Sequence, residues 1–189
     1  MTGIDRATAE RLIAARLTEK RRAHAHRVAA EAVVLARRYG APAEAAEVAG
    51  LLHDYCRELS DEETLAAARR YGIAFGPVEA RRPRHILHGP VAAAELRAAG
   101  LDESVARAVA LHTVGDAGMT VLEKCVYLAD YCEAGRSFPG VDEVRALALA
   151  SLDDAVAEAA RRTLLDIVGR GRGVVPSALA LYNETHGGT

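Results

Sequence analysis

The sequence predicts an all-α protein, a single-domain bundle of helices, and three observations carry that reading. Ala, Leu, Arg and Glu, all good helix formers, dominate the chain. Apolar residues recur at i, i+3, i+4 and i+7, and no window alternates at period two as a half-buried strand would. Punctuation falls where helices should start and stop: Gly40 and Gly100 follow apolar-periodic runs, and Ser60 with Glu63 has the spacing of a capping box. At 189 residues, 50% of them hydrophobic, one domain is large enough to bury a core.

The elements follow in chain order, with ends good to a few residues. A helix over about 5–18 comes after a charged start, "MTGIDRATAE", which lacks the apolar stretch of a signal peptide. The next, 22–39, puts His24 on one face with Val28, Ala32, Leu35 and Tyr39; His26 shares a more mixed face with Ala30, Val33 and Arg37. Helix 42–55 carries the apolar run Gly50-Leu51-Leu52, and 61–71 starts at the Ser60 capping box. Pro90 opens 89–99, "ARAVALHT" lies in 102–113, and "KCVYLADY" lies in 119–133. Three helices, 141–150, 152–169 and 175–185, close the chain. Two stretches interrupt this order. One is 71–89, long for a connection and holding Arg81, Arg82 and Arg84; the other is "EAGRSFPG" at 133–140. "GRGRG" at 169–173 lacks a preceding strand and a following Lys-Ser/Thr, so it reads as a turn and not a phosphate loop.

Bulk properties exclude several classes. A formal charge of −2 gives no basic excess for nucleic acid or an acidic membrane surface. No apolar run reaches the length of a transmembrane helix. Cys56, Cys125 and Cys132 have no CxxC spacing, which fits a reducing cytoplasm and neither a disulfide scaffold nor a zinc ribbon. Alanine- and leucine-rich helices could support a homodimer.

Function is sought at the polar ends of apolar helices. The run Gly50-Leu51-Leu52 breaks into His53-Asp54, "ARAVALHT" runs into His112, and "KCVYLADY" runs into Asp130. A single buried histidine usually bonds a backbone carbonyl, and a single aspartate usually caps a helix. Several together are harder to accommodate, because each buried polar group costs about 1–3 kcal/mol unless partnered. A shared metal would satisfy them all. Periodicity favours His24 over His26, while His88 and His85 are equal on chemistry. Imidazoles and carboxylates without a thiolate suit Fe, Mn or Zn, and two ions sharing a bridging carboxylate would use six ligands naturally. Core histidines and helix caps remain the alternative at this point.

The segments "LTEKRRAH", "AGLLHDYCRE", "LHGPVAA", "HTVGDAGMTVLEKCVYLADYCE" and "RSFPGVDEVR" resemble the YqeK-type HD-domain phosphohydrolases over almost the whole chain. That resemblance implies an HD-type helical bundle over 1–189, with a metal-binding core at about 20–135 and the C-terminal helices of 141–186 packing on it. It implies a symmetrical bis(5'-nucleosyl)-tetraphosphatase, which splits diadenosine tetraphosphate into two ADP at a di-iron centre by attack of a metal-bridging hydroxide. Carried over by position, it makes His24, His53, Asp54, His88, His112 and Asp130 the metal ligands. Asp54 would bridge, with His24, His53 and Asp130 on one ion and His88 and His112 on the other. Asp54 and Arg57 are then expected in catalysis, and Arg57, Thr113 and Arg136 in substrate binding. Two departures stand out: Arg57 occupies the position of a usual lysine, and "CEAGR" lacks the proline usual before Arg136. The alternatives are an HD phosphohydrolase acting on another nucleotide and a non-catalytic nucleotide-sensing HD module.

Overall fold

All regular structure among the described residues, 3–187 of the computed structural model, is helical. Residues 1, 2, 188 and 189 of the expected domain lie outside the described residues. In order the helices are α1 (Arg6–Arg16), α2 (Glu19–Tyr39), α3 (Ala43–Leu52), α4 (Asp61–Arg70), α5 (Pro77–Ala80), α6 (Pro83–Ile86), α7 (His88–Ala98), α8 (Glu103–Leu111), α9 (Val121–Cys132), α10 (Val141–Ala150), α11 (Leu152–Gly169) and α12 (Pro176–His186). No helix among the described residues is long and apolar enough to cross a membrane.

Ten of these match the periodicity; two correct it. The arginine-rich stretch is not a bare connection, because α5 and α6 each make one turn there. Each opens on a proline, whose fixed φ suits a first helical position and whose missing N–H loses nothing there. A second correction shortens the helix expected at 42–55, since α3 stops at Leu52. Beyond it the Tyr55 N–H donates to the Leu52 carbonyl at 3.0 Å and the Arg57 N–H to the Asp54 carbonyl at 2.8 Å. These tighter three-residue turns replace the α-helical ladder through His53-Asp54. The Ser60–Glu63 capping box is present, and Gly40 and Gly100 take positive φ of 77° and 95°. Thr120 and Glu123 form a second capping box at the start of α9.

Helix α9 is buried nearly all round, which places it at the centre. Leu122, Val126 and Ala129 join one core with α1, α2, α3, α7 and α8; Cys125, Leu128 and Cys132 join another with α10, α11 and α12. Two glycines set how closely the first group packs. A Cβ on Gly50 of α3 would lie 2.5 Å from Ala29 Cα of α2. One on Gly89 of α7 would lie 2.9 Å from the Val109 carbonyl oxygen and 3.1 Å from His112 Cε1 at the end of α8. Each helix pair therefore approaches more closely than any side chain would permit.

Candidate metal centre

Helix ends bring the polar residues together. His53 is the C-cap of α3, His112 is the C-cap of α8, Asp130 lies in the last turn of α9, and His88 opens α7. His24 reaches the same point from α2, across the contact that Gly50 allows. Ligand atoms of His24, His53 and Asp130 lie within 4.8 Å of one another, as do those of His53, Asp54 and His112. His88 joins through Nε2, 3.0 Å from His112 Nε2 and 3.1 Å from Asp54 Oδ1. His26 stays at the surface, 3.5 Å from Glu10, and His85 sits among Arg57, Arg82 and Arg84.

Asp54 faces two ways. Its Oδ2 lies 3.6 Å from His53 Nε2 and 3.9 Å from His24 Nε2, while its Oδ1 lies 3.1 Å from His88 Nε2 and 3.9 Å from His112 Nε2. On the first side, Asp130 Oδ1 is 3.1 Å from His24 Nε2 and 3.8 Å from His53 Nε2. Each oxygen of one carboxylate thus serves a separate group of imidazoles.

The rings are oriented to receive a cation. His53 Nδ1 donates to the Gly50 carbonyl at 2.7 Å and His112 Nδ1 to the Val109 carbonyl at 2.8 Å. With the proton held on Nδ1, the Nε2 lone pair points into the cluster. His24 Nδ1 is matched to Glu133 Oε1 at 3.2 Å, and its Nε2 meets His53 Nε2 at 3.2 Å. Lone pairs converging at such distances repel unless a positive charge lies among them, so the donor set fits divalent ions. Burial pushes the His88 and His112 imidazoles down to about 4 and also lowers His53, which keeps these rings neutral. Burial opposes ionisation of Asp54, yet its carboxyl lies well below the usual range, through the positive charge that His53 first, then His88 and His112, carry when protonated and through the hydrogen bond from His88. Asp130 is likewise held low against its burial, by the His24 hydrogen bond first. For His24, burial works against the charged form, yet the hydrogen bond to Asp130 leaves its pKa raised.

Arginines ring this cluster. Arg21 Nη1 lies 3.0 Å from Asp54 Oδ2, and Arg57 Nε lies 3.8 Å from Asp54 Oδ1. Arg136 donates through Nε to the Asp130 carbonyl at 2.8 Å and pairs through Nη2 with the Asp130 side chain. Arg57 also donates to the Arg84 carbonyl at 3.3 Å, so the planar fork in the lysine position is tied to the arginine-rich stretch. Thr113, partly buried, has its Oγ1 2.9 Å from His112 Nε2 and 3.4 Å from His88 Nε2. The sequence reading missed Arg21 and Glu133. Glu133 is buried at 1% exposure, accepts from Arg27 Nε at 2.6 Å, and faces His24 from more than a hundred residues away along the chain. Its signal was a carboxylate directly after an apolar helix, the same pattern that exposed Asp130.

The family model of the HD domain matches residues 21–135, the stretch that holds all six candidate ligands. The chain belongs to the HD-domain family. It is 38% identical over 176 residues to a symmetrical bis(5'-nucleosyl)-tetraphosphatase of Bacillus subtilis strain 168, covering 88% of this chain and 90% of that one. It is 37% identical over 181 residues to a protein of the same description from Staphylococcus aureus, covering 94% of this chain and 89% of that one. The HD fold also matches the crystal structure of a protein from Clostridium acetobutylicum, described as a predicted HD superfamily hydrolase involved in NAD metabolism. There the TM-score is 0.92 and the identity 29%, with 100% of both chains covered.

Proposed function

We propose that this chain hydrolyses diadenosine tetraphosphate, and similar dinucleoside polyphosphates, symmetrically into two nucleoside diphosphates. The observation that carries the reading is Asp54, whose two oxygens face His24 and His53 on one side and His88 and His112 on the other. The activity named for the HD-domain relatives supports it. Bound there, two ions, iron by the resemblance and manganese or zinc by donor chemistry, would supply Lewis acidity toward phosphoryl oxygens and lower the pKa of an attacking water.

The chain's own residues then have distinct tasks. His24, His53 and Asp130 would hold one ion, His88 and His112 the other, with Asp54 shared. Arg21, Arg57 and Arg136, already beside the two carboxylates, would bind and orient the tetraphosphate and offset its charge. Thr113 would direct its hydroxyl to the same space. The water oxygen joins the phosphorus second from one adenosine, the bond from that phosphorus to the central bridging oxygen breaks, and the bridging oxygen leaves with the other ADP. ADP is a good leaving group, so charge stabilisation matters more than strong acid catalysis. We also propose one domain over 1–189, because α9 is shared by both cores. The buried free thiols fit a cytoplasmic setting, and a homodimer is readable by sedimentation equilibrium.

Chromatography of the products from the iron-loaded protein and diadenosine tetraphosphate tests the proposal. ADP as the sole product is expected. ATP with AMP would overturn symmetrical cleavage, and hydrolysis confined to other nucleotides would overturn the substrate assignment.

A further inference from the structure

The segment "RSFPGVDEVR" supplies Arg136 to the site, and its second arginine has a different task. Arg145 lies in α10 and donates four hydrogen bonds. Nε donates to the Cys132 carbonyl at 2.8 Å, and Nη2 donates to the carbonyls of Glu133 at 2.8 Å and Arg136 at 2.7 Å. Nη1 is held by Asp142 at 2.6 Å. The three carbonyls end α9 and carry the chain round residues 133–136. Carbonyls at a helix end have no partner within the helix, and a guanidinium fork can gather several of them where an ammonium cannot.

The side chains of that same turn act on the candidate metal centre. Glu133 faces His24 Nδ1, and Arg136 grips both the carbonyl and the carboxylate of Asp130. Within the turn itself the Arg136 N–H donates to the Glu133 carbonyl at 2.9 Å. The turn also passes close to α2: a Cβ on Gly135 would lie 2.7 Å from Arg27 Nε. Ala134 occupies the place where the resemblance leads one to expect a proline. The stiffness a proline ring would give is absent, and the Arg145 fork supplies a restraint on the same residues.

We infer that Arg145 is a positioning residue of this site: it fixes the turn that aims Arg136 at Asp130 and Glu133 at His24. The kinetic part of its test rests on the proposed hydrolase reading; the exchange part does not. The test compares the full chain with Arg145→Met, Arg145→Lys, Arg136→Met and the Arg145→Met/Arg136→Met double variant. Hydrogen exchange is expected to quicken in peptides spanning 130–138 in both Arg145 variants, with α7 and α8 unchanged. With diadenosine tetraphosphate, kcat/KM is expected to fall roughly 10–100-fold in each Arg145 variant. The double variant should lose less than the product of the single losses, because part of the effect of Arg145 runs through Arg136 and the rest through Glu133. Arg145→Lys keeps the charge and carries the same tests should the methionine variant fail to fold. Unchanged exchange over 130–138, or a double-variant loss equal to the product of the single losses, overturns the inference. If the unaltered protein does not cleave the dinucleotide, the functional reading fails while the exchange comparison still decides the role of Arg145.

Discussion

The two sides of the candidate metal centre are built differently. On the side of His24, His53 and Asp130, every candidate ligand has an orienting partner. Glu133 backs His24, the Gly50 carbonyl backs His53, and Arg136 backs Asp130; Glu133 is itself gripped by Arg27. On the other side, the Val109 carbonyl orients His112, but His88 Nδ1 is buried without a hydrogen-bond partner among the described residues. One side is oriented by charged side chains from α2 and the turn after α9, with the Gly50 carbonyl. The other depends on helix packing, through Gly89, and on Asp54. The Glu133 carboxylate and the Gly50 carbonyl fix the His24 and His53 rings and raise their basicity, while Arg136 fixes Asp130 and lowers its basicity, so the first side is the more firmly oriented.

Substitutions can break or sharpen that contrast. The largest effect is expected from Asp54→Ala, which removes the one residue common to both sides; turnover should fall to background and bound metal should drop, as read by product assay and elemental analysis. Next come the glycines. Gly50→Ala would press on the Ala29 backbone, and overpacking of this kind costs about 1–3 kcal/mol in a denaturant titration. Gly89→Ala presses on carbonyl oxygens beside His112, and its metal titration should show the second ion weakened more than the first. Glu133→Gln should do the reverse, weakening the better-held ion roughly 10–100-fold in a competition titration. Equal weakening of both ions by both variants would erase the distinction between the sides.

The smallest effect concerns the bracing of the 133–140 turn from α11. Arg162 pairs with Glu143 and with Glu158, and its guanidinium covers Gly140, whose φ of 86° favours glycine. Hydrogen bonds from Arg161, foremost, hold the Glu158 carboxyl down at about 2, below the ordinary 4.5. A depressed carboxylate stabilises the fold above its unfolded pKa and loses that contribution as pH falls through the folded value. Glu158→Gln should therefore cost about 0.5 kcal/mol at pH 7 for so exposed a pair. The difference from the unaltered protein should shrink as pH falls from 4.5 toward 2 in acid-unfolding curves.

Much of this was legible in the sequence, for a physical reason. A helix face is periodic, so an imidazole on the apolar stripe of α2 is marked out: His24 is 12% exposed at its side chain and His26 is 48%. Polar residues at the ends of apolar helices, His53, His112 and Asp130, are anomalous against that same stripe. What periodicity cannot express is contact between distant helices. Arg21 against Asp54, Glu133 against His24 and the missing side chain at Gly50 depend on which helices meet and how closely. The short helices α5 and α6 escaped because one turn is too brief to show a period.

The placement of His53, His112 and Asp130 at helix ends has an electrical consequence. Helices α3 and α8 end at this cluster, in His53 and His112, and each such end carries about half a unit of negative charge; the end of α9 is instead met by the Arg145 guanidinium. The opening turn of α7 opposes them. With the Asp54 and Asp130 carboxylates added, the field among the imidazoles favours cations, while Arg21, Arg57 and Arg136 turn it toward anions at the edge. Opposite charges are thus favoured at neighbouring places, one set by the backbone and carboxylates and the other by the guanidinium groups.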